Sequence, residues 1–178
     1  SWKDLPLDVG SESIIAGTLT REDQRDILFV KKNKIEQIKK KKFITIFSSS
    51  PRRIYNLESF VKNFLPFKID NVKFKNIRGN IPTRFEKFLQ SDVDILIMAK
   101  AAIDRLIGNN ILEFKNISNI MKENINKCLW MITPLSQNPS SPGQGALAIE
   151  IKKDNKKLQE IISKISDPLT MHCVNQER

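Results

Sequence analysis

One histidine and two cysteines stand in a chain of 178 residues, and each scarcity removes a class of chemistry. With His172 alone, neither a histidine-based triad nor a multi-histidine metal site can be assembled, and no metal is expected. Cys128 and Cys173 lack metal-ligand spacing and suggest no disulfide framework, so a reducing, cytoplasmic setting fits them best. No apolar run approaches the ~18 residues that would span a bilayer. Aromatic residues are 7% of the chain, and no RNA- or DNA-binding motif is present. A nucleic-acid partner is therefore disfavoured, although the net charge is +10.

That charge still asks for an anionic partner: nucleic acid, a membrane surface, or a small polycarboxylate or phosphate. Lysine, asparagine and isoleucine are abundant throughout, as in an AT-rich coding sequence. The informative feature is therefore where the arginines sit. The length suits one medium domain, or one domain and part of another. The chain opens on SWKDLP without methionine and stops on NQER inside a helical pattern, so both ends read as cut.

Short strands are expected at 12–18 and 27–30, joined by the charged turn REDQRD, and the lysine-rich 31–42 reads as a solvated helix plus linker. An alternating series follows: strand 43–48, helix 51–65, strand 72–77, helix 81–90, strand 93–99 and a helix through Arg105. Strands 126–133 and 146–152 flank a Pro/Ser/Gly loop, and 154–165 and 167–178 read as helices. The alternation predicts an α/β fold with a mostly parallel sheet.

Ligands of such sheets bind at the carboxyl ends of the strands, where helices begin. Three successive junctions there carry arginine. In FSSSPRR, Ser50 is placed to cap a helix, Pro51 to open it, and Arg52 and Arg53 fall in its first turn. A helix N-terminus disfavours cations, so two arginines there call for an anion. RGNIPTRF repeats the design with Arg78, Asn80 as cap, Pro82, Thr83 and Arg84. In AKAAIDRL, Arg105 follows the strand end by about two turns. A guanidinium grips a carboxylate or phosphate through two parallel hydrogen bonds, so five arginines imply a ligand with several negative groups.

These segments, taken in order, resemble the porphobilinogen deaminase (hydroxymethylbilane synthase) family. SWKDLP is similar to that family's HSxKDLP, SSSPRR to TSSLRR, RGNIPTR to RGNxxTR, AKAAIDRL to AxAGLxRL and GQGALAIE to GQGALxIE. REDQRD resembles its charged hinge, and HCVNQER the helix opening its last domain. The resemblance implies a periplasmic-binding-protein-like (type II) fold: residues 1–26 as part of domain 1 and the hinge, 27–125 as domain 2, 126–152 as strands returning to domain 1, and 153–178 as the start of domain 3. It also implies a cytoplasmic, monomeric transferase of haem biosynthesis that joins four porphobilinogen units with loss of ammonia, on a dipyrromethane cofactor held by a cysteine. Neither nucleic acid nor membrane is an implied partner.

By this resemblance Asp4 is the central catalytic group and Lys3 contacts the cofactor. A fixed carboxylate suits the chemistry, because losing ammonia leaves a cationic azafulvene. Ser1, Ser48, Ser49, Ser50, Arg52, Arg53 and Arg84 are implied to hold cofactor side chains, with Asn80 and Thr83 in the same motif. Arg78 and Arg105 take cofactor or substrate carboxylates, and Gln144 and Gly145 line the cleft at the return to domain 1. Neither Cys128 nor Cys173 matches the cofactor cysteine, so this chain by itself is expected to be inactive. Phe47, Pro51 and Pro82 depart from the family pattern, and the loop 135–142 is longer than its common form. The competing readings are a non-catalytic carboxylate-binding module of the same fold and a nucleic-acid-binding protein.

Overall fold

The structure is a computed structural model that describes residues 1–6, 10–66, 68–108 and 111–177. It divides into two compact units, residues 25–139 and residues 1–24 with 140–178.

In the first of these, five strands form one sheet: β2 (Asp26–Lys31), β3 (Phe43–Phe47), β4 (Asn71–Lys75), β5 (Ile95–Ala99) and β6 (Cys128–Ile132). The preceding strand, β1 (Ser13–Thr18), belongs to the other unit. The order is β4-β3-β5-β2-β6. β3 runs parallel to both β4 and β5, while β2 is antiparallel to β5 and to β6. Four strands thus share one direction, as the alternating pattern predicts, and β2 alone is reversed.

The central strand β5 and residues 27–30 of its neighbour β2 are apolar without a break because both sheet faces are covered. On β2, Ile27 and Phe29 join one core with Leu96 and Met98 of β5, Phe85, Phe88 and Met121. The alternate residues Leu28, Ile95 and Ile97 join a second core with Leu57, Phe60 and Val61. The second core is roofed by α1 (Ile35–Lys39) and α2 (Pro51–Phe64). The first is covered by α3 (Ile81–Gln90), α4 (Lys100–Ile107) and α5 (Lys115–Asn126).

Among the described residues, α5 is the one α-helix the sequence reading does not anticipate. Its apolar positions 117, 120, 121 and 125 keep helical spacing, but asparagine-rich intervals dilute the pattern. Because α5 runs to Asn126, the strand expected from 126 begins at Cys128. All five residues of β6 pair with β2, so this strand lies in the five-stranded sheet, and the two units divide at 139/140.

The other unit is built on β1 (Ser13–Thr18) paired antiparallel with β7 (Ala148–Lys152). It includes α6 (Lys156–Ile165) and α7 (Pro168–Gln176). A small core gathers Trp2, Ala146 and Val174. The backbone N–H of Asp167 donates to Thr18 O at 2.8 Å, seating the α6–α7 junction on the end of β1. Residues 153–178 are read from sequence as the start of a third domain; of these, 153–177 fall in the same compact unit as β1 and β7. Position 178, the end of the expected last helix, lies outside the described residues.

Candidate functional site

Within residues 25–139, the parallel strands β3 and β4 end side by side, and their following loops are tied together. Ser49 Oγ donates to Ile77 O at 3.0 Å and accepts from Ile77 N at 2.9 Å. This explains why β4 stops at Lys75: the Ile77 amide is taken by a side chain of the neighbouring loop. Ser48 is buried, and its amide donates to Lys75 O at 3.0 Å. Its hydroxyl accepts from Ser50 N at 3.3 Å.

α2 starts where the sequence places it, with Ser50 at the N-cap position and Pro51 in the first turn. The expected cap bond is not made, however. Ser50 presents no side-chain acceptor to the first-turn N–H groups, and that turn contains no acidic residue. The N-terminus of α2 is therefore open, with Arg52 and Arg53 in place of a cap.

The carboxylate that meets these arginines comes from the start of β2. Asp26 Oδ2 accepts from Arg53 Nε at 3.0 Å and Arg52 Nη2 at 2.9 Å, and Oδ1 accepts from Arg53 Nη2 at 2.8 Å. The Asp26 side chain is fully buried, while those of Arg52 and Arg53 keep 23% and 12% exposure. Burial pushes the Asp26 carboxyl upward, but the hydrogen bonds and charge of Arg53, then Arg52, outweigh it and hold it below the usual carboxylate range. Two guanidiniums share this one carboxylate, which leaves an excess positive charge at an open helix N-terminus.

Sequence reasoning missed Asp26 by grouping it with the charged turn REDQRD. It also missed Asn138, whose Nδ2 donates to Asp26 Oδ2 at 3.0 Å and Thr133 Oγ1 at 2.9 Å. The one available signal was Asp26's place directly before the apolar run ILFV.

At the second junction Asn80 caps α3 as expected, its Oδ1 accepting from Thr83 N at 2.9 Å. Arg84 Nε donates to Gly79 O at 2.6 Å. Lys87 Nζ donates to Arg78 O at 3.0 Å, and the Arg78 side chain is exposed. Ser48 to Arg53 and Arg78 to Arg84 thus occupy neighbouring loops on one sheet edge. Arg105 follows the third junction, at the end of β5. It lies in the last turn of α4, where a cation suits the helix dipole, and its Nε donates to Ala101 O at 3.1 Å.

The remaining site residues belong to the other unit. Ser1, Lys3 and Asp4 are exposed on a single 3-10 turn, Trp2–Asp4. The turn is anchored by Trp2, which is buried and donates its amide to Ala146 O at 3.1 Å. Gln144 is buried, and its Nε2 donates to Gln24 O at 2.6 Å. Gly145 has φ +91°, and a Cβ there would lie 2.4 Å from Glu22 O.

Both therefore serve to lock the 143–145 turn against residues 21–24. Arg21 completes the clasp: its Nε donates to Gln144 O at 3.0 Å, and its terminal nitrogens grip Glu177 at 2.5 and 2.9 Å. The Arg21 hydrogen bond holds Glu177 below the usual carboxylate range against its partial burial, helped by the Gly143 N–H. Gly145→Ala is expected to cost about 2–4 kcal/mol, combining left-handed backbone strain with an overlap against rigid backbone. Denaturant unfolding of the variant measures this.

The family model described as porphobilinogen deaminase, dipyromethane cofactor binding domain, matches residues 1–160. Porphobilinogen deaminase of Chlorobium phaeovibrioides is 31% identical over all of this chain and 49% of its own length. The Rickettsia prowazekii enzyme of the same name is 30% identical, over all of this chain and 51% of its own. That of Prochlorococcus marinus subsp. pastoris is 33% identical, over all of this chain and 49% of its own. Among solved structures, an arginine-transport periplasmic binding protein from Legionella pneumophila matches 94% of this chain and 66% of its own at 13% identity and a TM-score of 0.33, too loose to bear on function. The chain spans about half the length of the curated relatives it matches. With its collinear motifs and an arginine-bearing sheet edge, this chain belongs to the porphobilinogen deaminase family.

Proposed function

We propose that the protein carrying this chain joins porphobilinogen units into the linear tetrapyrrole hydroxymethylbilane, releasing ammonia at each addition, in the cytoplasm. Residues 25–139 act in it as the unit that holds the acetate and propionate arms of a dipyrromethane cofactor and of the growing pyrrole chain. The observation that carries this reading is the excess positive charge of Arg52 and Arg53 at the uncapped N-terminus of α2. That donor set fits carboxylates: planar guanidiniums and open backbone N–H groups both favour them.

Arg52, Arg53 and the first-turn amides of α2 bind carboxylate arms, and Arg84 and Arg78 extend the same edge. Ser48 and Ser49 act by holding the loop in shape. Dipyrromethane, when bound, supplies the pyrrole position onto which each new unit is added. Asp4 stabilises the positive charge that develops as the amine leaves porphobilinogen, and it orients pyrrole N–H groups by accepting their hydrogen bonds. Exposure on an anchored turn suits such a group, because among the described residues its carboxylate is not consumed by a structural partner. Lys3 contacts the cofactor from the same turn, and Arg105 meets substrate carboxylates.

The full-length protein incubated with porphobilinogen is expected to release ammonia and to form a product that absorbs as a porphyrin after oxidation. Binding of porphobilinogen without either signal would instead establish a carboxylate-binding module.

A further inference from the structure

We propose that Asp26, braced by Asn138, is a positioning residue that fixes the guanidinium planes of Arg52 and Arg53 for ligand carboxylates; this rests on the carboxylate-binding reading above. Asp26 is fully buried and engaged with protein donors, so it acts through the arginines. It holds Arg53 along one edge, through Nε and Nη2. The Nη1 group and the second hydrogen of Nη2 have no protein partner among the described residues. Because a guanidinium is flat and rigid, fixing one edge sets the direction of the next.

Arg52 is fixed from two sides. Its Nη2 donates to Asp26 Oδ2 at 2.9 Å, and its Nη1 donates to Pro139 O and to Asn138 Oδ1, the latter at 3.3 Å. Asn138 is 1% exposed and also donates to both Asp26 and Thr133. Thr133 in turn holds the Asp26 backbone, its amide donating to Asp26 O at 2.9 Å and its hydroxyl at 3.2 Å. Asn138 and Pro139 lie in the loop that follows β6.

A purely structural ion pair would need one arginine. A second cation on the same carboxylate, in the first turn of a helix, is unfavourable until an anion arrives. Asp26 therefore keeps two like charges adjacent and oriented while their net charge stays positive.

The test is a double-mutant cycle in the full-length protein, with porphobilinogen titrated calorimetrically into wild type, Asp26→Asn, Arg52→Met/Arg53→Met and the combination. Folding of each is checked by circular dichroism. Asp26→Asn is expected to weaken binding about tenfold in the wild-type background and less than about twofold when both arginines are methionine. Asn138→Ala, which keeps every charge, is expected to show the same dependence at about threefold. It decides the matter should Asp26→Asn not fold. Equal weakening in both backgrounds, or binding within about twofold of wild type, overturns the positioning role. If the double-arginine variant itself binds like wild type, the carboxylate reading fails and the positioning role with it. If that variant loses binding while Asp26→Asn and Asn138→Ala retain it, the positioning role alone fails.

Discussion

Asp26→Ala is expected to destabilise the protein by about 3 kcal/mol, at the lower end of the range for breaking a buried ion pair. The carboxylate is fully buried and shared by Arg52 and Arg53, which keep only 23% and 12% side-chain exposure. Its removal leaves two half-buried cations facing each other, with Asn138 also deprived of an acceptor. The residual access of the arginines to water sets the lower end of the range. The same pair dictates a pH dependence. Because the folded-state value of Asp26 lies below that of the unfolded chain, its contribution is present above about pH 4 and is lost as pH falls through the folded value. Denaturant midpoints measured from neutral pH downward should fall below about pH 4 in wild type, and more shallowly in Asp26→Asn. Parallel curves for the two proteins would contradict this source of acid sensitivity.

The second large effect is on turnover and leaves folding untouched. Asp4→Ala in the full-length protein is expected to lower turnover by about 10²–10³-fold, the scale of removing one preorganised electrostatic group. Asp4 is exposed, and its turn is held by the buried Trp2 and the Ser1 and Ala146 carbonyls, so truncating it disturbs no packing. The thermal unfolding midpoint should stay at its wild-type value while ammonia release collapses. Near-normal ammonia release by Asp4→Ala would remove this carboxylate from the chemistry.

What could be read from the sequence followed from how local each interaction is. Pro51 opens α2 because its missing N–H and fixed φ suit a first helical turn, and Asn80 caps α3 through Thr83, three residues on. Such features act within one turn of helix and are visible in a short window. Pro51 is exposed in that first turn, where proline is well tolerated.

Asp26 was illegible for the opposite reason. Its burial depends on arginines 26 and 27 residues away and on Asn138, 112 residues away. Nothing within REDQRD itself distinguishes its last aspartate from the other charged residues of the segment. Ser50 looked like a cap by type and place, yet the hydroxyls of its loop serve other ends, Ser49 tying down Ile77 and Ser48 accepting from Ser50 N. The GQG motif gave no hint of its clasp, because Gly145 answers to the Glu22 carbonyl and Gln144 to Gln24 and Arg21. Local caps and periodicity were readable; long-range partners of charged and polar groups were not.

The central claim is that the arginine-bearing edge recognises carboxylates, and it is tested most directly by removing the ligand's charge. Porphobilinogen and its carboxylate diester should be titrated into the full-length protein under identical conditions. The predicted result is binding weakened by about a hundredfold or more for the diester, with that discrimination largely erased in Arg52→Met/Arg53→Met. Equal affinity of wild type for the acid and its diester would contradict it.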